Sequence, residues 1–377
     1  MGKPRKAPGD WPHVVANWLA FENGDPWLAT DEFPMFTDAW ITGEIGIGPY
    51  SFINTVAAIT AGAVRPAVVL RYAIHKRWDY PGMTKTKADL YHGGTAQDEV
   101  AALASLAMGI RFRAGSPTRR IEPNGDPLGR PQEFWSSATP QLHVSRAYRI
   151  PSATKGQHPL ERLNILGLLQ KLAKSEATAV LRAARLYQDA LWLAESEPAL
   201  AWLLLVSALE TGANEWKKEK GDTVDRLRCS NSKLYDYLAG LEDQSILPNA
   251  ADLMAYSFGI IKKFVDFVLY FLPNPPKDRP PEGFQINWDR AIFEKAFKII
   301  YDYRSKALHE GRPFPSPMSH PPYTVQSWKA PAERIGGLAV SEAGGVWVKK
   351  DLPMSLHMFE YIARNVLLNW WRSCAQP

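Results

Sequence analysis

From about residue 155 onward, apolar residues return at three- and four-residue intervals. The clearest case is Trp288, Ile292, Phe293, Ala296, Phe297, Ile299, Ile300, Tyr303 and Ala307, one face of an amphipathic helix. Asn287 predicts its N-cap, and Gly311 with Pro313 predicts its stop. The same periodicity predicts helices over 159–174, 176–195, 198–217, 232–241, 250–272, 288–310 and 355–373. Two short stretches, 335–340 and 346–349, flank Gly344-Gly345 and predict a small β-hairpin.

Residues 1–150 have a different texture. Short apolar runs at 39–48, 67–72, 110–113 and 142–148 alternate with Gly, Pro and Asp clusters, which predicts strands and turns. Residues 96–108 are strong helix formers and predict one helix. After Gly109, Ile-Arg-Phe-Arg alternates apolar and basic residues, the pattern of a half-buried strand. That strand would place Arg111 and Arg113 on one face, close in sequence to Arg119 and Arg120. They are candidates for RNA-backbone contacts, with a plain solvated face as the alternative. The expected fold is an α+β N-terminal domain over 1–150, then a mainly α-helical domain over 151–377 carrying the small hairpin.

Composition narrows the function classes. The chain has 377 residues, 46% hydrophobic and 22% charged, as in an ordinary globular protein of two domains. The net charge of +5 is compatible with a nucleic-acid partner. The two cysteines, Cys229 and Cys374, have no Cys or His neighbours at ligand spacing, so no zinc motif or disulfide framework is expected. The apolar windows 199–209 and 264–272 are too short to span a bilayer, and no apolar core follows the basic start of the chain. A cytoplasmic protein without a membrane partner is expected. Trp370-Trp371 is expected in the core or at an oligomer interface, and His75, His92, His143 and His357 stand isolated, with no role assigned.

Candidate chemistry concentrates at 303–313, where the long helix ends. Arg304 and His309 form an Arg-x4-His pair in its last turns. Ser305 and His309 stand at i and i+4 and share a face. Asp302 and Lys306 extend the polar strip, Lys306 being a further candidate for the RNA backbone. A guanidinium grips phosphate oxygens, and an imidazole exchanges protons near neutral pH. Glu210 and Asn214, at i and i+4 after the apolar run 199–209, are candidates to orient Arg304. The competing expectation is structural: His309 caps its helix and Arg304 pairs with Asp302 or Glu310.

These residues resemble the HEPN superfamily, in its Apea-like branch. There an Arg-polar-x3-His motif closes a late helix, and an earlier helix carries a stretch similar to 201–210. Arg304 matches the family arginine, Ser305 the polar residue and His309 the histidine. Ser305 stands where Asn is commoner, and Glu310 separates His309 from Gly311. The resemblance covers about residues 155–375. It implies an endoribonuclease that cleaves RNA through its 2′-OH without a metal or cofactor. It also implies a homodimer through the motif helix, in a toxin or anti-phage setting. The N-terminal domain would regulate or target it through a ligand of its own. Other members of the superfamily have lost catalysis and bind RNA or nucleotides; such an inactive binding module, or a purely structural dimerisation scaffold, is the alternative expectation for this chain.

Overall fold

The structure, a computed structural model, describes residues 11–55, 63–76, 86, 88, 91–125, 133–142, 147–216, 222–241, 243, 245–254 and 259–376. It opens with helix α1 (His13–Glu22), followed by strands β1 (Ala29–Thr37), β2 (Trp40–Thr42), β3 (Ile45–Ile47), β4 (Tyr50–Asn54) and β5 (Arg65–Ile74). Helix α2 (Ala96–Met108) occupies the residues that the sequence predicts. Short strands β6 (Arg113–Ala114), β7 (Arg119–Ile121) and β8 (Glu133–Phe134) follow. The sheet is antiparallel in the order β3-β4-β5-β1-β7-β8, with β6 also pairing to β1. The expected run at 142–148 falls largely on residues outside the described ones.

Strand β1 is central, yet its sequence Ala-Thr-Asp-Glu-Phe-Pro-Met-Phe-Thr is not strand-like. Both acids are buried and answered from neighbouring strands. Glu32 pairs with Arg71 of β5 and Arg119 of β7, and Asp31 with Arg120 of β7. Buried charges persist when paired and hydrogen-bonded in this way.

The second part is helical. Helices α3 (Lys174–Leu193), α4 (Pro198–Trp216), α5 (Thr223–Ser230), α6 (Ser232–Ala239), α7 (Ile246–Met254), α8 (Ile260–Tyr270), α9 (Arg290–His309) and α10 (Leu356–Cys374) run in chain order. Strand β9 (Gln157–Pro159) precedes them, and the hairpin β10 (Ala339–Glu342) and β11 (Gly345–Val348) lies between α9 and α10. Its turn is Ala343-Gly344, both with positive φ (48° and 81°), the two-residue geometry that suits the twist of paired strands. No helix among the described residues is long and apolar enough to cross a membrane.

Three helical expectations need correction. Residues 160–171 form a 3-10 helix, not an α-helix. Leu160, Leu163, Leu166 and Leu169 recur every third residue, which aligns them on one edge at three residues per turn, and all four are buried. The helix expected over 250–272 is two helices, with Gly259 in the left-handed conformation (φ 74°) at the start of α8. The N-cap of α9 is Asp289, which accepts from the Ala291 and Ile292 amides, while Asn287 accepts from the Asp289 amide.

Residue 150 does not mark a break in the core. One continuous cluster of buried side chains runs from Val14 through Phe112 and Leu191 to Trp371. Helix α2 packs on α3, and β2 pairs in parallel with β9. Arg364 of α10 donates to the carbonyls of Leu106 and Ala107 at the end of α2. Arg149 donates to the Ser319 carbonyl and to Glu195. A small satellite cluster around Leu227 and Ala251 is formed by α5, α6 and α7.

Candidate functional site

Helix α4 is the pivot of the helical part, touching α3, α8, α9 and α10. Its Trp202 lies stacked against Phe314 and Phe359, with ring centroids 5.2 Å and 4.7 Å away. That packing fixes the register between α4 and the chain after α9. Two helical turns further on, Glu210 faces α9. Its Oε2 accepts from Arg304 Nη2 at 2.8 Å, and its Oε1 accepts from the Tyr301 hydroxyl, also at 2.8 Å. Tyr301 and Arg304 are at i and i+3 on α9, so one carboxylate binds both. The Arg304 guanidinium also lies 5.4 Å from the Tyr301 ring centroid, within cation–π range. Arg304 Nε is buried and has no acceptor among the described residues.

The remaining motif residues are less constrained. His309 is the last residue of α9, exposed, and its imidazole makes no hydrogen bond to a described residue. Gly311 (φ 68°) then turns the chain out of the helix. Ser305 is half-buried and its hydroxyl makes no hydrogen bond to Arg304 or His309, so it does not orient them here. Lys306 pairs with Asp302 at 2.6 Å and Arg312 with Glu310 at 3.1 Å. Both carboxylates named as alternative partners for Arg304 are thus engaged elsewhere. Tyr303 anchors the opposite flank by donating to the Asp351 carbonyl at 2.9 Å, and burial first, then Asp351 and Asp302, push its phenol up to about 12.

Two expected site residues are not where the sequence reading put them. Asn214 is exposed on α4 and does not reach Arg304. Arg111 is fully buried and cannot meet an RNA backbone. Its Nη1 bonds Asp38 at 2.7 Å and Thr154 at 2.8 Å, its Nη2 bonds Glu195 at 3.0 Å, and its Nε bonds the Leu191 carbonyl at 2.8 Å. The alternation at 110–113 misled because Ile110, Arg111 and Phe112 are all buried, and only Arg113 and Ala114 pair as strand. Arg113 is half-exposed, 3.3 Å from Asp189 and 4.8 Å from the Trp192 ring centroid.

Among the described residues, one group of His, Cys, Asp or Glu has the spacing of a metal site: His13, His92 and Glu99. It lies on α1, α2 and the loop before α2, on elements separate from Arg304 and His309. Sequence reading missed it because His13 is far from the other two in the chain.

Compared with protein-family models, with curated proteins and with solved structures, the chain matches none.

Proposed function

We propose that this protein is an endoribonuclease of HEPN type, with Arg304 and His309 as its catalytic residues. The observation that carries the reading is the hold of Glu210 and Tyr301 on Arg304, one turn before an exposed, unencumbered His309. A guanidinium fixed in place lowers the entropic cost of gripping a phosphate. The exposed imidazole can meet a ribose or a leaving oxygen. In the reaction the 2′-oxygen loses its proton and bonds to phosphorus, the bond to the 5′-oxygen breaks, and that oxygen takes a proton. A cyclic 2′,3′-phosphate remains. One imidazole cannot serve both oxygens at once, so the reading includes a homodimer that pairs two α9 ends about a twofold axis. Leu308 (53% exposed) gives the end of α9 apolar surface for such a contact. A toxin or anti-phage setting belongs to the same reading.

A second reading follows from the same ion pair. Glu210 already neutralises Arg304, which suits a catalytically silent module that binds RNA or a nucleotide, or a dimerisation scaffold in which Arg304 stitches α9 to α4. The deciding experiment is incubation of the full chain with total RNA in EDTA, under conditions where circular dichroism shows it folded. The nuclease reading expects cyclic phosphate ends, and loss of cleavage in Arg304→Ala and in His309→Ala. Cleavage that requires Mg²⁺ and leaves 5′-phosphates overturns it. Binding without cleavage favours the second reading.

A further inference from the structure

Glu99 sits in the first turn of α2 but does not cap that helix. Thr95 and Asp98 do so, through the Thr95 amide and hydroxyl at 3.0 Å and 2.7 Å from Asp98 Oδ2. The Glu99 carboxylate is fully buried and turned toward α1. It accepts from the backbone amides of His13 and Val14, the first two residues of that helix, at 2.9 Å and 2.6 Å. His92, in the loop before α2, brings Nε2 to 2.7 Å from Glu99 Oε1, with its ring only 7% exposed. The His13 ring stands perpendicular to it, with centroids 6.0 Å apart. One ring nitrogen from each histidine and one Glu99 oxygen all lie within 4.8 Å of one another. His92 Nδ1 is buried and has no hydrogen-bond partner among the described residues.

We propose that His13, His92 and Glu99 form a binding site for a divalent transition-metal ion, zinc in the first instance. The donor set argues for that class. Two imidazoles and one carboxylate suit zinc, whereas calcium and magnesium take oxygen ligands almost exclusively. Ligand atoms about 2.1 Å from a tetrahedral ion lie roughly 3.4 Å apart. The site therefore reaches zinc geometry by opening the His92–Glu99 contact by about 0.7 Å and drawing in the third ligand by at most about 1.4 Å. The fourth position takes water. Glu99 retains its two backbone amides, which hold the ligating carboxylate in place. The ion would rivet the start of α1 to α2, and through α2 to α3. This inference is independent of the ribonuclease reading, because it shares no residue with it.

The test uses the full chain without an affinity tag, stripped of metal and dialysed. Zinc chloride is titrated in by calorimetry, and cobalt chloride is followed by its visible absorption. The wild type is expected to take up one equivalent per chain, to give the intense bands of a low-coordinate cobalt site, and to melt higher as free zinc rises. A His13→Gln/His92→Gln variant, which leaves Glu99 and its amide bonds intact, is expected to lose all three responses. No equivalent in the wild type, or the same equivalent in the variant, overturns the proposal. Should the variant not fold, X-ray absorption of the zinc-loaded wild type decides: two imidazoles plus oxygen support the site, and any other set overturns it.

Discussion

Arg304 and Glu210, 94 residues apart in the chain, meet at 2.8 Å where α9 crosses α4. The side chains are 21% and 14% exposed, so solvent screens the pair only in part. Glu210→Ala removes the acceptor of both Arg304 and the Tyr301 hydroxyl. It is expected to lower the unfolding free energy by about 1–2 kcal/mol in urea titrations. Under the ribonuclease reading it also slows RNA cleavage roughly tenfold, by freeing the guanidinium from its position. Lost stability with unchanged cleavage would assign the pair to the scaffold alone.

Arg111 is bound by two carboxylates, a hydroxyl and a backbone carbonyl without contact with solvent. Arg111→Met leaves Asp38 and Glu195 without their shared cation. The expected loss is about 3–5 kcal/mol, read by equilibrium unfolding. Under the ribonuclease reading, Arg111→Met that remains folded should bind RNA no more weakly than the wild type. Weakened binding in a folded variant would contradict the burial described above.

Because the core continues across residue 150, a fragment beginning near 155 loses the partners of α3 and α10. It is expected to expose apolar surface, bind a hydrophobic dye and melt without a cooperative transition. A cooperative transition with native-like near-ultraviolet circular dichroism would show instead that the helical part folds alone.

How far the sequence disclosed this architecture depends on how local each signal was. Helix α2 and the end of α9 were legible because their signals are local: strong helix formers, then Gly109 and Gly311. The pairing of Glu210 with the motif helix was anticipated, while Asn214, one turn on, turned out to face water. Strand β1 was hidden because Asp31 and Glu32 read as surface charges until their arginine partners are seen in three dimensions. The three-residue leucine period at 160–169 was visible in the sequence, and reading it as 3.6 gave the wrong helix. The His13, His92 and Glu99 cluster carried no local spacing to find.

His158 of β9 is buried, and burial first, then Arg162, pushes its pKa from 6.5 down to about 4. The unfolded chain therefore binds this proton more readily than the native one between those values, and stability rises with pH across that window. The contribution is complete above 6.5. It is lost as pH falls, by on the order of 3 kcal/mol below 4. Chemical unfolding from pH 7 to pH 4 should show a shallower pH slope for His158→Gln than for wild type. Parallel slopes would remove His158 from the acid response.

Gly212 lies on α4 just past Glu210, where an added Cβ would meet Phe267 Cζ at 2.7 Å and Trp370 Cε3 at 3.2 Å. Gly212→Ala gains about 1 kcal/mol of helix propensity. Overpacking against two buried rings is expected to cost about 1–3 kcal/mol. The melting temperature should fall, and Phe267→Leu in the same chain should restore part of it. A rise in melting temperature would mean that α8 and α10 yield freely at this contact.

The bond from Arg364 to the end of α2 has a consequence for the order in which the protein is made. Arg364 lies 258 residues downstream of the Leu106 carbonyl it holds. A ribosome must therefore add most of the polypeptide before α2 receives that partner. During this interval α3 is made early and can cover its side of α2, while the part of α2 that α10 later covers stays bare. Chaperones that capture nascent chains act on that kind of surface, and completion of α10 ends the interval.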